Sequence, residues 1–236
     1  MMLLVRTWNV FHGNASPPRR AGFLRRMVEL ATSDDPDVLC LQEVPVWALR
    51  RLGSWSGMTS IGAVARPAAR PGAISTWVTG LNQGFFRSGL AGQANAVLVP
   101  RSRKVSDLGS EQISEPRRER RIVQAVRLEG HPSVVVANLH ATNDFRDPDV
   151  PRAEAQRSTR FVERLARPGE ATVLAGDFNV ADPLLEGFSA PFEGIDDVLV
   201  RNASIRERMV WPRELRMQDG VVLSDHAPLD CLVEVS

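Results

Sequence analysis

Short apolar runs, most of them closing on a polar residue, alternate along the chain with stretches whose apolar positions recur at helical spacing. Residues 3–10, 37–43, 73–80, 94–99, 122–128, 133–139, 173–180, 194–200 and 228–235 have the length and aliphatic content of strands. After Pro17-Pro18, the residues Phe23, Leu24, Met27, Val28, Leu30 and Ala31 recur near the helical period with arginines opposite, which predicts a helix opened by proline. Residues 45–52 predict a short helix. Residues 151–166 predict a longer one with Ala155, Phe161, Val162 and Leu165 on its buried side, stopped by Pro168-Gly169. A helical turn is expected at 183–187. Residues 53–71 hold neither period, and Trp47 and Trp55 read as packing residues. The stretch 81–92, rich in Gly, Asn and Gln, reads as a flexible loop near the substrate side, and 144–150 as a polar loop. Many strands with few helices fit an α/β (α+β) fold of two stacked mixed β-sheets flanked by helices. No linker, repeat or low-complexity tract divides the 236 residues, so a single domain over 1–236 is expected.

The polar ends of the runs carry the chemistry. Residues 173–180 stop at Gly176 and present Asp177 and Asn179; an extended segment alternates its side chains, so acid and amide emerge together while Phe178 turns into the core. Gly-Asp-x-Asn alone is also a turn signal, but four other runs end in the same manner: Thr7-Trp8-Asn9, Leu41-Gln42-Glu43, Asn138-Leu139-His140 and Ser224-Asp225-His226. If these strands share a sheet, Asn9, Glu43, His140, Asp177, Asn179, Asp225 and His226 converge at one edge, where α/β scaffolds build active sites. A carboxylate ending a buried strand, as Glu43 does, needs a cation or a helix terminus. His12 and His131 lie outside any motif and read as surface residues.

The ordered series TWNV, LQEV, NLHATN, GDFN, IDDVLV and SDHAPL, running from Thr7 to Leu229, resembles the endonuclease/exonuclease/phosphatase superfamily, which includes DNase I, exonuclease III, neutral sphingomyelinases and inositol polyphosphate 5-phosphatases. The resemblance implies the DNase I-like four-layer αββα sandwich. It implies Asp196, at the start of Asp196-Asp197-Val198, as the carboxylate partner of His226. It also places His140 to act as general acid or to bond the phosphate, as in the DNase I, sphingomyelinase and 5-phosphatase branches. Asn95, in Ala94-Asn95-Ala96-Val97-Leu98, resembles the family's G-N-A strand and is a candidate substrate contact. The chain departs from relatives in having no tyrosine, no Cys-Asp-Arg signature of the inositol 5-phosphatases and no apolar membrane anchor.

Composition narrows the picture modestly. With 43% hydrophobic and 24% charged residues, the chain has the make-up of a globular protein with a full core rather than a disordered or membrane chain. A net charge of +1 gives no global electrostatic case for nucleic acid. Residues 101–127 are basic locally, with Arg117-Arg118 and Arg120-Arg121 only partly offset by Glu111, Glu115 and Glu119. Arg117 and Arg118 are the candidate phosphate contacts there; the alternative is a solvated loop leading into a strand at 122–128. Lys104 is the single lysine, a bias that reads as genome composition. Cys40 and Cys231 lie within apolar runs without CxxC spacing, as buried small hydrophobes do. Residues 1–5 are too short an apolar run for a signal peptide, so a cytoplasmic monomer without a membrane span is expected.

Phosphodiesters are anionic and slow to hydrolyse, so a catalyst must neutralise charge, orient water and stabilise the leaving alkoxide. Glu43, with Asn9 and Asp225, offers oxygen ligands, which suit Mg²⁺ or Mn²⁺ rather than zinc. His226, held by Asp196, is placed to act on the nucleophilic water; Asp177 could bind or activate the same water, and Asn179 could orient the phosphate. Which of Asp177 and His226 is the formal base stays open. The expected activity is metal-dependent phosphodiester hydrolysis, nuclease-like on DNA or RNA. The alternatives are a small-molecule or lipid phosphoester as substrate, and a catalytically silent binding protein.

Overall fold

The computed structural model describes residues 1–17, 22–69, 73–80 and 90–236. In chain order these form β1 (Met2–Asn9), β2 (Ala15–Ser16), α1 (Leu24–Ala31), β3 (Val38–Val44), α2 (Leu49–Ser56), β4 (Thr59–Arg66), α3 (Ala73–Gly80), β5 (Gln93–Val99), β6 (Val105–Gln112), β7 (Ile122–Leu128), β8 (Val134–His140), α4 (Asp149–Leu165), β9 (Ala171–Asp177), β10 (Asp196–Arg201), β11 (Ser204–Val210), β12 (Met217–Gln218), β13 (Val221–Leu223) and β14 (Leu229–Glu234). One sheet runs β11-β14-β1-β3-β5-β4, a second runs β10-β9-β8-β7-β6, and β12, β13 and β2 make a small third. Both large sheets are mixed: β1 pairs with β3, and β8 with β9, in parallel, against antiparallel neighbours.

Side-chain alternation assigns the layers. Along β8, Val134 and Val136 enter a core shared with Leu3, Val5, Val38 and Cys40 of the first sheet. The intervening Val135, Ala137 and Leu139 face Ala155, Phe161 and Val162 of α4. On the outer side of the first sheet Trp8, Leu39 and Leu41 pack on Leu24, Met27 and Val28 of α1 and Leu52 of α2. The order is therefore helix, sheet, sheet, helix, the expected αββα sandwich. Cys40 and Cys231 are unpaired and buried in the inter-sheet core, where burial pushes their thiols up to about 12 and about 11. Among the described residues no helix is long and apolar enough to cross a membrane.

Several local expectations need correcting. Residues 73–80 form α3, not a strand. Their β-branched residues favour extended backbone only weakly, and the segment joins none of the sheets. Strands β4, β6 and β11 escaped the pattern because they are half-exposed or exposed along most of their length and lack a clean apolar alternation. Residues 183–187 form no helix, only a hydrogen-bonded turn at 186–187 in which Phe188 N donates to the Leu185 carbonyl at 3.5 Å. The helix expected after Pro17-Pro18 begins at Leu24, and Pro18 itself lies outside the described residues, as does most of the 81–92 loop.

Candidate active site

Register brings the site together. His140, Asp177 and Asp196 stand abreast on β8, β9 and β10, because His140 pairs with Asp177 and Asp177 with Asp196. Facing residues on one side of neighbouring strands are within contact distance. From the other sheet, Asn9 at the end of β1 donates its Nδ2 to Asp177 Oδ2 at 2.9 Å, linking the two sheets. His226 arrives on the loop before β14. Its carbonyl is pinned by the Trp8 indole at 3.0 Å and Arg216 at 2.8 Å, while Ser224 Oγ donates to the Asn9 carbonyl at 2.7 Å. His226 Nδ1 sits 2.7 Å from Asp196 Oδ2. Asp177 Oδ2 then lies 3.6 Å from His140 Nε2 and 3.9 Å from His226 Nε2. Phe178 is fully buried on the α4 side, as alternation requires. Asn179, at a left-handed φ of 52°, donates Nδ2 to the Ala141 carbonyl at 3.0 Å, and its backbone N–H bonds Asp177 Oδ1 at 3.0 Å.

Glu43 has two imidazoles for neighbours. His12 Nδ1 lies 3.0 Å from Oε2, and His140 Nε2 lies 3.7 Å from Oε1. Behind His140 stands a further pair: Arg121 Nη1 is 3.0 Å and Gln93 Nε2 is 3.0 Å from His140 Nδ1. Gln93 Oε1 accepts from Arg121 at 3.3 Å, so its amide nitrogen is the atom presented to His140. Arginine and an amide nitrogen can only donate. Gln93 Nε2 makes His140 Nδ1 an acceptor, which puts the neutral ring's proton on Nε2, facing the carboxylates. Arg121 Nη1 reaches both ring nitrogens, lying 3.2 Å from Nε2, and does not choose between them.

Charge in the cluster is unbalanced. Burial raises Asp177 to about 7, helped by Asp196 and opposed by His226 and the Asn9 bond. Burial also raises Asp225, with Glu43 adding to the effect and His226 opposing it. Glu43 goes the other way: burial opposes ionisation, but the His12 hydrogen bond and the charges of His12, His140 and Arg121 hold it below the ordinary carboxylate range. Burial and then Arg121 push His140 well below its ordinary value. His226 is raised to about 9: burial opposes the charge, but the bond to Asp196 and the carboxylates of Asp196, Asp177 and Asp225 outweigh it. Asp177 and Asp225 are thus both forced toward protonation, Asp225 from an exposed position near enough to feel Glu43 and His226, and Asp196 Oδ1 is buried without a hydrogen-bond partner among the described residues. Ligand atoms of Asp177, Asp196 and His226 lie within 4.8 Å of one another. This oxygen-rich, negatively charged pocket fits a hard divalent cation.

Not every candidate joins the cluster. Asn95 is only 1% exposed, and its Nδ2 donates to the Ile122 and Asn138 carbonyls at 3.3 Å each, a brace between the sheets where the sequence suggested a substrate contact. Arg117 is exposed, and Arg118 pairs with Asp144 at 3.0 Å on the loop after β8. Three further residues join it: Arg121, from the basic segment expected to meet phosphate, and Gln93 and His12, which were not sequence candidates. Arg121 was set apart from its arginine neighbours only by standing directly before an apolar run. Gln93 gave no signal. His12, expected at the surface, is 5% exposed against Glu43, since a left-handed turn after β1 folds it inward.

The sequence matches the model of the Endonuclease/Exonuclease/phosphatase family over residues 7–226. The chain belongs to that family. Membership supports phosphoester hydrolysis as the class of activity. Solved structures with this fold include a functionally unknown conserved protein from Enterococcus faecalis V583, with 19% identity, 99% of this chain and 100% of that one covered, and a TM-score of 0.70. TDP2 of D. rerio in complex with a single-strand DNA product has 16% identity, 99% of each chain covered and a TM-score of 0.65. A mannosyl-6-phosphatase from Bacteroides thetaiotaomicron VPI-5482 has 16% identity, 98% and 99% coverage and a TM-score of 0.68. At such identities the likeness is one of fold. No curated protein sequence matches the chain.

Proposed function

We propose that this family member is a divalent-metal-dependent phosphodiesterase acting as a nuclease on DNA or RNA. The observation that carries the reading is Asp177 Oδ2, held between the Nε2 atoms of His140 and His226 at 3.6 and 3.9 Å, with His226 anchored on Asp196. A buried carboxylate so placed is equipped to hold a water and take its proton. Of the two candidate bases, His226 is held in its charged form by the Asp196 bond and the neighbouring carboxylates, so near neutrality Asp177 is the group that takes the proton. His226 keeps its own and presents Nε2–H to the developing anion. His140, neutral with its proton on Nε2, donates a hydrogen bond to a phosphoryl oxygen rather than delivering a proton. Arg121 behind it adds positive charge, and Asn179, fixed through Ala141, orients the phosphate. Asn9, Glu43 and Asp225 would hold Mg²⁺ or Mn²⁺; the chemistry this ion supplies when bound is polarisation of the phosphoryl oxygen and compensation of its growing charge.

Nucleic acid is favoured as substrate by the surface beside the site. The Arg118–Asp144 ion pair ties the basic turn to the loop that presents Phe145, 88% exposed, so cations and an aromatic face stand together. The single-strand DNA held by TDP2 on the same fold agrees with this. The test is turnover of plasmid, single-stranded DNA, RNA, bis-p-nitrophenyl phosphate, sugar phosphates and sphingomyelin with Mg²⁺, Mn²⁺ or excess chelator. Cleavage of nucleic acid that vanishes in chelator and returns with either metal is expected. Full turnover in chelator overturns the metal assignment, and turnover confined to sugar phosphates or sphingomyelin overturns the nuclease.

A further inference from the structure

The turn that follows β1 is unusual. Phe11, His12 and Gly13 have φ of 45°, 53° and 81°, three consecutive residues in the left-handed region where side chains are disfavoured. Glu43 is left-handed as well, at 54°, and the β3–β5 ladder slips between Leu41 and Val44, so Glu43 occupies an irregularity in its strand. Both partners of the His12–Glu43 contact are therefore held in strained backbone. Such strain persists only where the surroundings over-determine it, and here they do. Asn9 Oδ1 accepts from Phe11 N at 3.0 Å, Asn14 Nδ2 donates to the Phe11 carbonyl, and Gly13 N donates to the Val10 carbonyl at 2.7 Å. A side chain at Gly13 would put its Cβ 2.6 Å from Leu24 Cβ.

What this turn delivers is one hydrogen bond. His12 Nδ1 meets Glu43 Oε2 at 3.0 Å, while His12 Nε2 is buried without a partner among the described residues. A ring serving only to fill space would be apolar, since a buried nitrogen left unsatisfied is unfavourable. The bond to Oε2 leaves Oε1 turned toward His140 Nε2, 3.7 Å away, on the side where Asp177 lies. We infer that His12 is a positioning residue: it fixes the Glu43 carboxylate so that Oε1 faces the divalent cation. The inference rests on the reading of Glu43 as a metal ligand. Groups that orient a ligating carboxylate govern affinity for the metal without touching it.

The test is Mn²⁺ binding to the full chain, followed by electron paramagnetic resonance, with melting curves in chelator and in Mn²⁺. His12→Phe keeps a ring and loses the donor; His12→Ala replaces it should the phenyl group unfold the turn. His12→Asn keeps a donor at the Nδ1 position and tolerates a left-handed backbone. Loss of the donor should weaken Mn²⁺ binding about 10- to 100-fold and shrink the rise in melting temperature that Mn²⁺ produces, while His12→Asn should stay close to the parent. Parental Mn²⁺ affinity in His12→Phe or His12→Ala, with Glu43→Gln weakened, overturns the role of His12 alone. Equal weakening in His12→Asn also overturns it, because the donor would then not be what matters. Parental affinity in Glu43→Gln overturns the metal reading beneath it.

Discussion

Strand β1 bears two buried clusters of charge, at Arg6 and at Asn9, and they are built to opposite rules. Around Arg6 every valence is closed. Its five N–H groups meet five acceptors: Asp230 Oδ1 and Oδ2 at 2.6 and 2.7 Å, Asp34 Oδ1 and Oδ2 at 2.6 and 2.8 Å, and the Ala31 carbonyl at 2.7 Å. The Trp211 indole donates to Asp230 at 2.9 Å and its ring lies 4.3 Å from the guanidinium carbon. Around Asn9 the valences stay open: among the described residues Asp196 Oδ1, His12 Nε2 and Arg121 Nε are buried without partners, and Asp177 and Asp225 are pushed toward protonation. A fold tolerates one such imbalance when the missing charge arrives with a ligand. The difference separates a cluster that holds the fold from one that awaits substrate.

Substitution should separate the two clusters most strongly at their centres. His226→Ala should lower turnover about 10² to 10⁴-fold with a smaller loss of stability than at Arg6, because His226 and Asp196 are each partly exposed. Arg6→Met, which strands Asp230 without its counter-charge, should lower stability by about 3–5 kcal/mol while the folded fraction keeps its turnover per molecule. Denaturant melts and activity normalised to folded protein check both; a destabilised His226→Ala that turns over at the parental rate would dissolve the distinction. A smaller effect tests the open cluster's electrostatics. In metal-free protein the His226 imidazole should titrate at about 9, because the Asp196 bond and the nearby carboxylates stabilise its charged form against burial. Asp196→Asn removes the charge and leaves at most a neutral acceptor for Nδ1–H, so His226 should release its proton at lower pH. Asp177, which Asp196 pushes upward, should fall as well. Histidine NMR signals followed against pH would show this, and an unmoved His226 would mean that Asp196 does not serve it. The smallest effect belongs to the rim. Replacing Arg117 and Arg118 should flatten the salt dependence of DNA binding by about one unit of slope for each phosphate that is no longer neutralised. Bis-p-nitrophenyl phosphate turnover should hold. An unaltered slope returns these arginines to a solvated turn.

Legibility followed the same division. Each polar tip could be read because a strand that leaves its core announces the exit locally, as Leu41-Gln42-Glu43 and Asn138-Leu139-His140 do. The Asp196–His226 partnership followed from the family resemblance and stands at 2.7 Å. The exposed strand β6 could not be read, since half-exposed polar residues form a ladder only when a neighbour such as β7 offers one. Nor could α3, whose β-branched residues read locally as a strand although the chain there is helical.

The alternation of apolar and polar residues determined which side chains leave each strand and on which face, because the two-residue period of extended backbone is a local property. Which tips meet was decided only in three dimensions. His140, Asp177 and Asp196 are abreast through the registers of β8 with β9 and of β9 with β10. His12 reaches Glu43 through a left-handed turn on one strand and an irregularity on another. Register and backbone strain are set by the packing of segments distant in the chain, and no short stretch of sequence contains both sides of that packing.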